Sequence, residues 1–248
     1  MKTNRTFSWQ GVMPAVTTQF NNKGTLDLKA FSKNLTFQKE AGVHGFILGG
    51  TLGEASTLSA DEKISLLQTA KQIAGNSIPV VVNIAEQSTQ QALDAVAQAE
   101  TNGADGLMLL PPMRYKATDA ETLVYFSEIA QSTALPIMIY NNPIDYKIEV
   151  TLEMFDHLQQ HANIEAVKES TRDTTNITRM RNSFGNRFQI LCGVDTLAME
   201  SLVMGADGWV AGLVDAYPQE TVAIYAYCKA NRYAEARHLF QWFLPLLE

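Results

Sequence analysis

Short apolar runs alternate with longer amphipathic stretches eight times along the chain, and this rhythm limits the fold more than any other feature. The apolar runs are 11–20, 43–50, 78–86, 104–112, 135–143, 163–170, 188–195 and 206–214. After them come 26–42, 59–75, 88–103, 119–132, 151–161, 174–185, 196–205 and 217–232, each with apolar residues at helical spacing. Gly42 stops the first of these stretches, and Ser59 opens the second as an N-cap with an acidic first turn. Parallel strands need helical crossovers, so the pattern predicts an α/β fold. Eight units in 248 residues is the size of a (β/α)8 TIM barrel. The barrel is expected over 1–232, with 233–248 starting a C-terminal helical extension. Two echoes agree: "GADG" joins a helix end to a strand at 103–106 and again at 205–208. A doubly wound open sheet is the alternative, but 17–24 carries no phosphate-loop pattern after the first strand.

The net charge of −7, with no basic run, argues against nucleic acid and against an anionic membrane surface. No apolar run reaches the ~20 residues that cross a bilayer. The first ten residues lack the apolar region of a secretory signal, and a cytoplasmic location is expected. Cys192 and Cys228 fit no zinc-ligand spacing and read as buried free thiols.

A barrel of this kind builds its active site at the C-terminal strand ends. Those ends carry Gly49, Gly50, Thr51, Leu52, Gly53 and Glu54, then Tyr140, Asn141 and Asn142, then Lys168, Glu169 and Ser170, then Gly193 and Asp195. Lys168 ends the otherwise apolar "IEAVKES" strand. It is either an exit into solvent or a desolvated, neutral amine able to attack a carbonyl. Side chains alternate along a strand, so Ala166 and Lys168 share the inward face and Val167 faces the helices. The glycine turn around Thr51 is either an ordinary βα turn or an anion nest for a carboxylate. Tyr140 is either a core tyrosine or a proton shuttle.

The motifs G-T-x-G-E at 50–54, Y-N-x-P at 140–143 and I-x-x-x-K-E-S at 164–170 resemble those of the dihydrodipicolinate synthase/N-acetylneuraminate lyase family. That resemblance implies a (β/α)8 barrel, usually a homotetramer, with Schiff-base lyase or aldolase chemistry on pyruvate-like 2-oxo acids and no metal or other cofactor. It makes Lys168 the Schiff-base lysine, Tyr140 the proton shuttle and Thr51 a relay hydroxyl. The N–H groups of Thr51 and Leu52 would hold the substrate carboxylate. Gly50, Gly53, Asn142, Asp145, Gly193 and Val210 complete the expected substrate-binding set.

Three departures stand out. Leu52 occupies the place of a second threonine of the synthases. Asp145 stands where they carry an arginine for a distal carboxylate. "LPPMRYKA" (110–117) replaces paired tyrosines that reach a neighbouring subunit, with Arg114 and Tyr115 only loosely aligned. The family usually continues further at the C-terminus, so the extension reads as short or truncated. Within the family the chain looks most like the 1-pyrroline-4-hydroxy-2-carboxylate deaminase subgroup. The expected partner is a small 2-oxo acid or cyclic imino acid, in a homo-oligomer (tetramer or dimer). Dihydrodipicolinate synthase, a pyruvate-dependent aldolase, a phosphate-dependent barrel enzyme and a non-catalytic binding barrel are the alternatives.

Overall fold

A computed structural model of the chain describes residues 8–112 and 116–247. Eight parallel strands run in the order β1-β8-β7-β6-β5-β4-β3-β2. They are β1 (Gly11–Pro14), β2 (Phe46–Leu48), β3 (Val80–Ile84), β4 (Gly106–Leu109), β5 (Ile137–Asn141), β6 (Ile164–Glu169), β7 (Gln189–Cys192) and β8 (Gly208–Ala211). A parallel bridge between Ala15 and Ile47 joins β1 to β2 and closes the ring. The helices outside it are α1 (Leu28–Glu40), α2 (Ala60–Ala74), α3 (Thr89–Thr101), α4 (Asp119–Ser132), α5 (Pro143–Tyr146), α6 (Leu152–Leu158), α7 (Thr175–Phe184), α8 (Ala198–Val203), α9 (Pro218–Lys229) and α10 (Tyr233–Phe243). This is the (β/α)8 barrel that the rhythm predicts.

Local chemistry explains the element ends. Ser59 and Thr118 each accept from the N3 backbone, while Glu62 and Glu121 reach back to the caps. The two "GADG" turns do one job twice. Asp105 accepts from the Val80 backbone N–H and pairs with Lys71, and Asp207 accepts from Ile190 N–H and pairs with Arg181. Each aspartate, just before its own strand, therefore ties the start of the neighbouring strand to the helix that leads into that neighbour.

Strand alternation divides the core in two. Met13, Ile47, Val81, Met108, Met138, Ala166, Leu191 and Val210 fill the barrel interior, and Trp9 joins them, its indole N–H donating to Glu165. Val12, Phe46, Val80, Leu107, Ile139, Val167 and Ile190 pack outward against the helices. On β6, Ala166 and Lys168 face inward and Val167 faces the helices, as period two demands.

Two boundaries differ from expectation. β1 ends at Pro14 rather than running to 20. Thr17 has left the ladder because its N–H and hydroxyl both go to the Asp215 carboxylate. α5 was not anticipated; Asn142 caps it and Pro143 starts it. The C-terminal segment forms α10, whose Phe240 and Phe243 are buried. Phe243 packs edge-on against Trp209. Arg114 and Tyr115 lie outside the described residues. Among the described residues no helix is long and apolar enough to cross a membrane, and Cys192 and Cys228 are free and buried.

Asp215 binds the β1 exit to α1, since Gln38 Nε2 also donates to it at 2.8 Å. Burial pushes its carboxyl up to about 6. The neutral form is favoured in the fold, so its stabilising contribution is present below about pH 4 and is lost as pH rises through about 6. Asp215→Asn keeps an acceptor oxygen and should remove this part of the pH profile, on the order of 2 kcal/mol between pH 4 and 7. Denaturant melts of both proteins across that range read the difference. Parallel profiles would contradict it.

Candidate active site

Lys168 sits on the inner face of β6, paired in register with Tyr140 on β5 and Leu191 on β7. It is only 7% exposed. Its Nζ lies 3.8 Å from the centroid of the Tyr140 ring and forms no hydrogen bond or ion pair with the described residues. Burial holds the ammonium down to about 8, against an opposing pull led by Asp195. A buried amine without a hydrogen-bond or ion-pair partner is unusual because its charged form is expensive to keep there.

Gly193 provides the room for this lysine. A Cβ there would stand 2.7 Å from Lys168 Cε, 2.8 Å from its Cγ and 2.1 Å from Ser170 Oγ. Gly193 therefore shapes the floor under the lysine stem as well as lining the cavity. Val210 lines the same cavity from β8. The cavity holds about 730 Å³, and Gly50, Thr51, Leu52, Tyr140, Asn142, Asp145 and Lys168 also face it. The sequence-predicted residues are thus brought together, with one exception. Gly53 does not line the cavity; it is buried behind it, where a Cβ would meet Val16 O at 2.8 Å. Its glycine identity serves the packing of the turn, and its carbonyl accepts from the Thr18 hydroxyl at 2.7 Å.

The turn itself is fixed by Asn83, whose Nδ2 donates to Gly49 O at 2.8 Å, and by Gly49 in the left-handed region at φ 65°. The N–H groups of Thr51 and Leu52 donate to no acceptor among the described residues. Asn141 ends β5 and Asn142 caps α5, and their side chains diverge. Asn141 turns away from the cavity and clasps the Val150 backbone through both ends of its amide, so it is structural. Asn142 Nδ2 donates to the Tyr140 hydroxyl at 3.1 Å and to Asp145 Oδ2 at 2.7 Å.

Sequence reasoning missed Tyr146. Its hydroxyl lies 2.7 Å from Thr51 Oγ1, and its ring stands edge-on to Tyr140 with centroids 5.4 Å apart. Thr51 therefore pairs directly with Tyr146. The available signal was "NPIDY": an Asn cap followed by Pro starts a helical turn, which returns residue 146 to the face of residue 142. Burial raises the Tyr140 phenol and pushes Tyr146 up to about 12, so both stay protonated at neutral pH.

At the exits of β7 and β8 three N–H groups are already taken. The Gly212 and Leu213 N–H groups and the Trp209 indole all donate to the Asp195 carboxylate, at 2.8–3.1 Å. The protein's own carboxylate takes up these three N–H groups, so they offer no support for the phosphate-dependent alternative.

A sequence profile described as the Dihydrodipicolinate synthetase family matches residues 8–248. The 4-hydroxy-tetrahydrodipicolinate synthase of Exiguobacterium sibiricum is 31% identical over 239 residues, 96% of this chain and 82% of that protein. That of Methanococcus aeolicus is 31% identical over 231 residues, 93% of this chain and 79% of the relative. The solved structure of the 4-hydroxy-tetrahydrodipicolinate synthase from Methylacidiphilum fumariolicum superposes with a TM-score of 0.93 at 30% identity, covering 96% of this chain and 80% of that one.

The fit of Gly193 against the lysine stem is open to test. Gly193→Ala forces Lys168 and Ser170 to move, and such overpacking should cost about 1–3 kcal/mol of stability. Urea denaturation reads this directly. An unchanged midpoint would show that the lysine has more room than the structure gives it.

Proposed function

The chain belongs to the dihydrodipicolinate synthetase family and is a lyase of that family, and on this premise we propose that it makes or breaks a carbon–carbon bond between pyruvate and an aldehyde through an imine on Lys168. The observation that carries this reading is the buried amine with no hydrogen-bond or ion-pair partner among the described residues. Neutral Lys168 attacks the 2-carbonyl, and loss of one water leaves the imine. Protonated, the imine withdraws electrons from C3. Loss of a C3 proton gives the enamine, which attacks the aldehyde carbon. Water then hydrolyses the product imine and frees the lysine. Cleavage runs the same steps backwards.

The other residues take roles suited to their positions. The free N–H groups of Thr51 and Leu52 hold the carboxylate. Tyr140, against the amine, donates and recovers the proton. Thr51 joins the relay through Tyr146, to which it is hydrogen-bonded. Gly50, Gly193 and Val210 shape the floor. Asp145 and Asn142 accept hydroxyls of the aldehyde portion. A carboxylate ~4 Å from Asp145 would lose about 4 kcal/mol at an effective dielectric of 20, roughly a thousandfold in affinity. Charge at that wall thus favours a hydroxylated aldehyde.

Synthesis of 4-hydroxy-tetrahydrodipicolinate is the second reading, supported by the names of relatives that cover nearly the whole chain. The narrower reading, deamination of 1-pyrroline-4-hydroxy-2-carboxylate, shares the attack of Lys168 on C2, but the named relatives favour condensation over it. The proposal includes a cytoplasmic homo-oligomer. Trp242 and Leu246, 52% and 48% exposed, are apolar surface that a second copy could cover.

Intact mass after borohydride reduction with pyruvate tests the amine. The wild-type protein should gain one adduct and Lys168→Ala none; an adduct mapped to another lysine would overturn the assignment. Pyruvate with aspartate semialdehyde, pyruvate with a neutral hydroxyaldehyde, and the pyrroline alone then separate the three reactions. In the productive assay Tyr140→Phe should lower kcat by about 10²–10⁴-fold with a smaller change in KM. Tyr146→Phe should lower kcat in the same direction while pyruvate is still trapped on Lys168. Unchanged turnover in either variant would remove that tyrosine from the relay.

A further inference from the structure

A second cation stands on the cavity wall, four residues beyond the candidate nucleophile. Arg172 lines the cavity from the loop that leaves β6. Its backbone lies in the left-handed region at φ 65°, which is uncommon for an arginine. The loop is braced from below. The buried Glu169 carboxylate accepts from the Thr171 N–H at 2.8 Å and from Asn176 Nδ2 at 2.7 Å. A strained residue held by such surroundings is a pointer to function.

The guanidinium has no hydrogen-bond or ion-pair partner among the described residues. Its sequence neighbour Asp173 is taken by Arg179 at 2.8 Å and by Thr175. Arg179, Arg181, Arg187 and Arg232 all hold a carboxylate or carbonyl. Asp195, the acid nearest in the cavity wall by chain order, is saturated by three N–H donors. Asp145 is on the β5 side of the cavity, clamped by Asn142. The cavity thus carries acids at Asp145 and Asp195, the amine of Lys168 and, at Arg172, a cation unpaired among the described residues. Extended chain from 168 to 172 spans at most ~14 Å between Cα atoms, and the arginine side chain covers part of that distance.

We propose that Arg172 binds an anionic group at the far end of the substrate, so that the substrate is a 2-oxo acid with a second negative charge directed to the β6 loop and away from Asp145. This deepens the reading of Lys168 as the imine-forming amine and rests on it. Asp145 then governs hydroxyls in the middle of the chain, and Arg172 its terminus. A carboxylate and a phosphate would both suit a guanidinium.

The test compares acids that differ only at the terminus. 2-Oxoadipate and 2-oxohexanoate have equal length, and 5-hydroxy-2-oxopentanoate against its 5-phosphate separates phosphate from carboxylate. Half-saturation is read by borohydride trapping and, independently, by calorimetric titration. Wild type should favour the anionic member of at least one pair about tenfold or more. Arg172→Gln should bring that pair within about twofold, and Arg172→Lys, which keeps the charge, should retain part of the preference. Equal affinities in wild type, or a preference that survives Arg172→Gln, would overturn the proposal. If no acid is trapped on wild type, the imine reading falls, while calorimetry still decides for or against Arg172.

Discussion

An ammonium at the end of a buried strand is the constraint from which the rest of the site follows. Lys168 is held largely out of water at the wall of the cavity, where no acid forms an ion pair with it among the described residues. Desolvation and the opposing field of Asp195 and Asp145 compete, and desolvation wins, leaving the amine near about 8. Asp195 leads that opposing field, yet its oxygens accept from three N–H donors and form no ion pair with the amine. The same three bonds tie the β7 exit to the β8 exit. One carboxylate therefore serves the barrel's shape and spares the amine from a tight ion pair.

The surroundings of the lysine follow from strand alternation and from missing side chains. Ala166 below it is small and Gly193 beside it has no Cβ, so the stem packs straight along the barrel interior. Tyr140 covers the amine from the neighbouring strand because the β5–β6 register sets the two residues side by side. A slip by one residue would turn Lys168 out among the helices. Stability of the ladder and placement of the amine are thus one property of the fold.

The sequence revealed what depends on period. Alternation on β6 identified the inward lysine, and helical spacing with caps located the outer layer. Contacts made by short irregular segments stayed hidden. α5 spans four residues, too few to show a period, so Tyr146 and its bond to Thr51 could be inferred only from the Asn-Pro start. Gly53 resembled its neighbours in composition, yet its role is to let the turn lie against Val16. Asn141 and Asn142 look equivalent in sequence and differ by the face each presents. The left-handed backbone of Arg172 leaves no mark in sequence, because arginine is not a residue that announces it.

A direct titration of the Lys168 amine tests the central claim. Lysine labelled with ¹³C at the ε-carbon gives one resonance per residue, and Lys168→Ala identifies the resonance to follow. The account predicts that this resonance titrates near pH 8, more than two units below an unperturbed lysine at ~10.4, while the surface lysines stay near that value. Titration of Lys168 together with the surface lysines would mean that the amine is solvated, and the buried nucleophile on which the account depends would not exist.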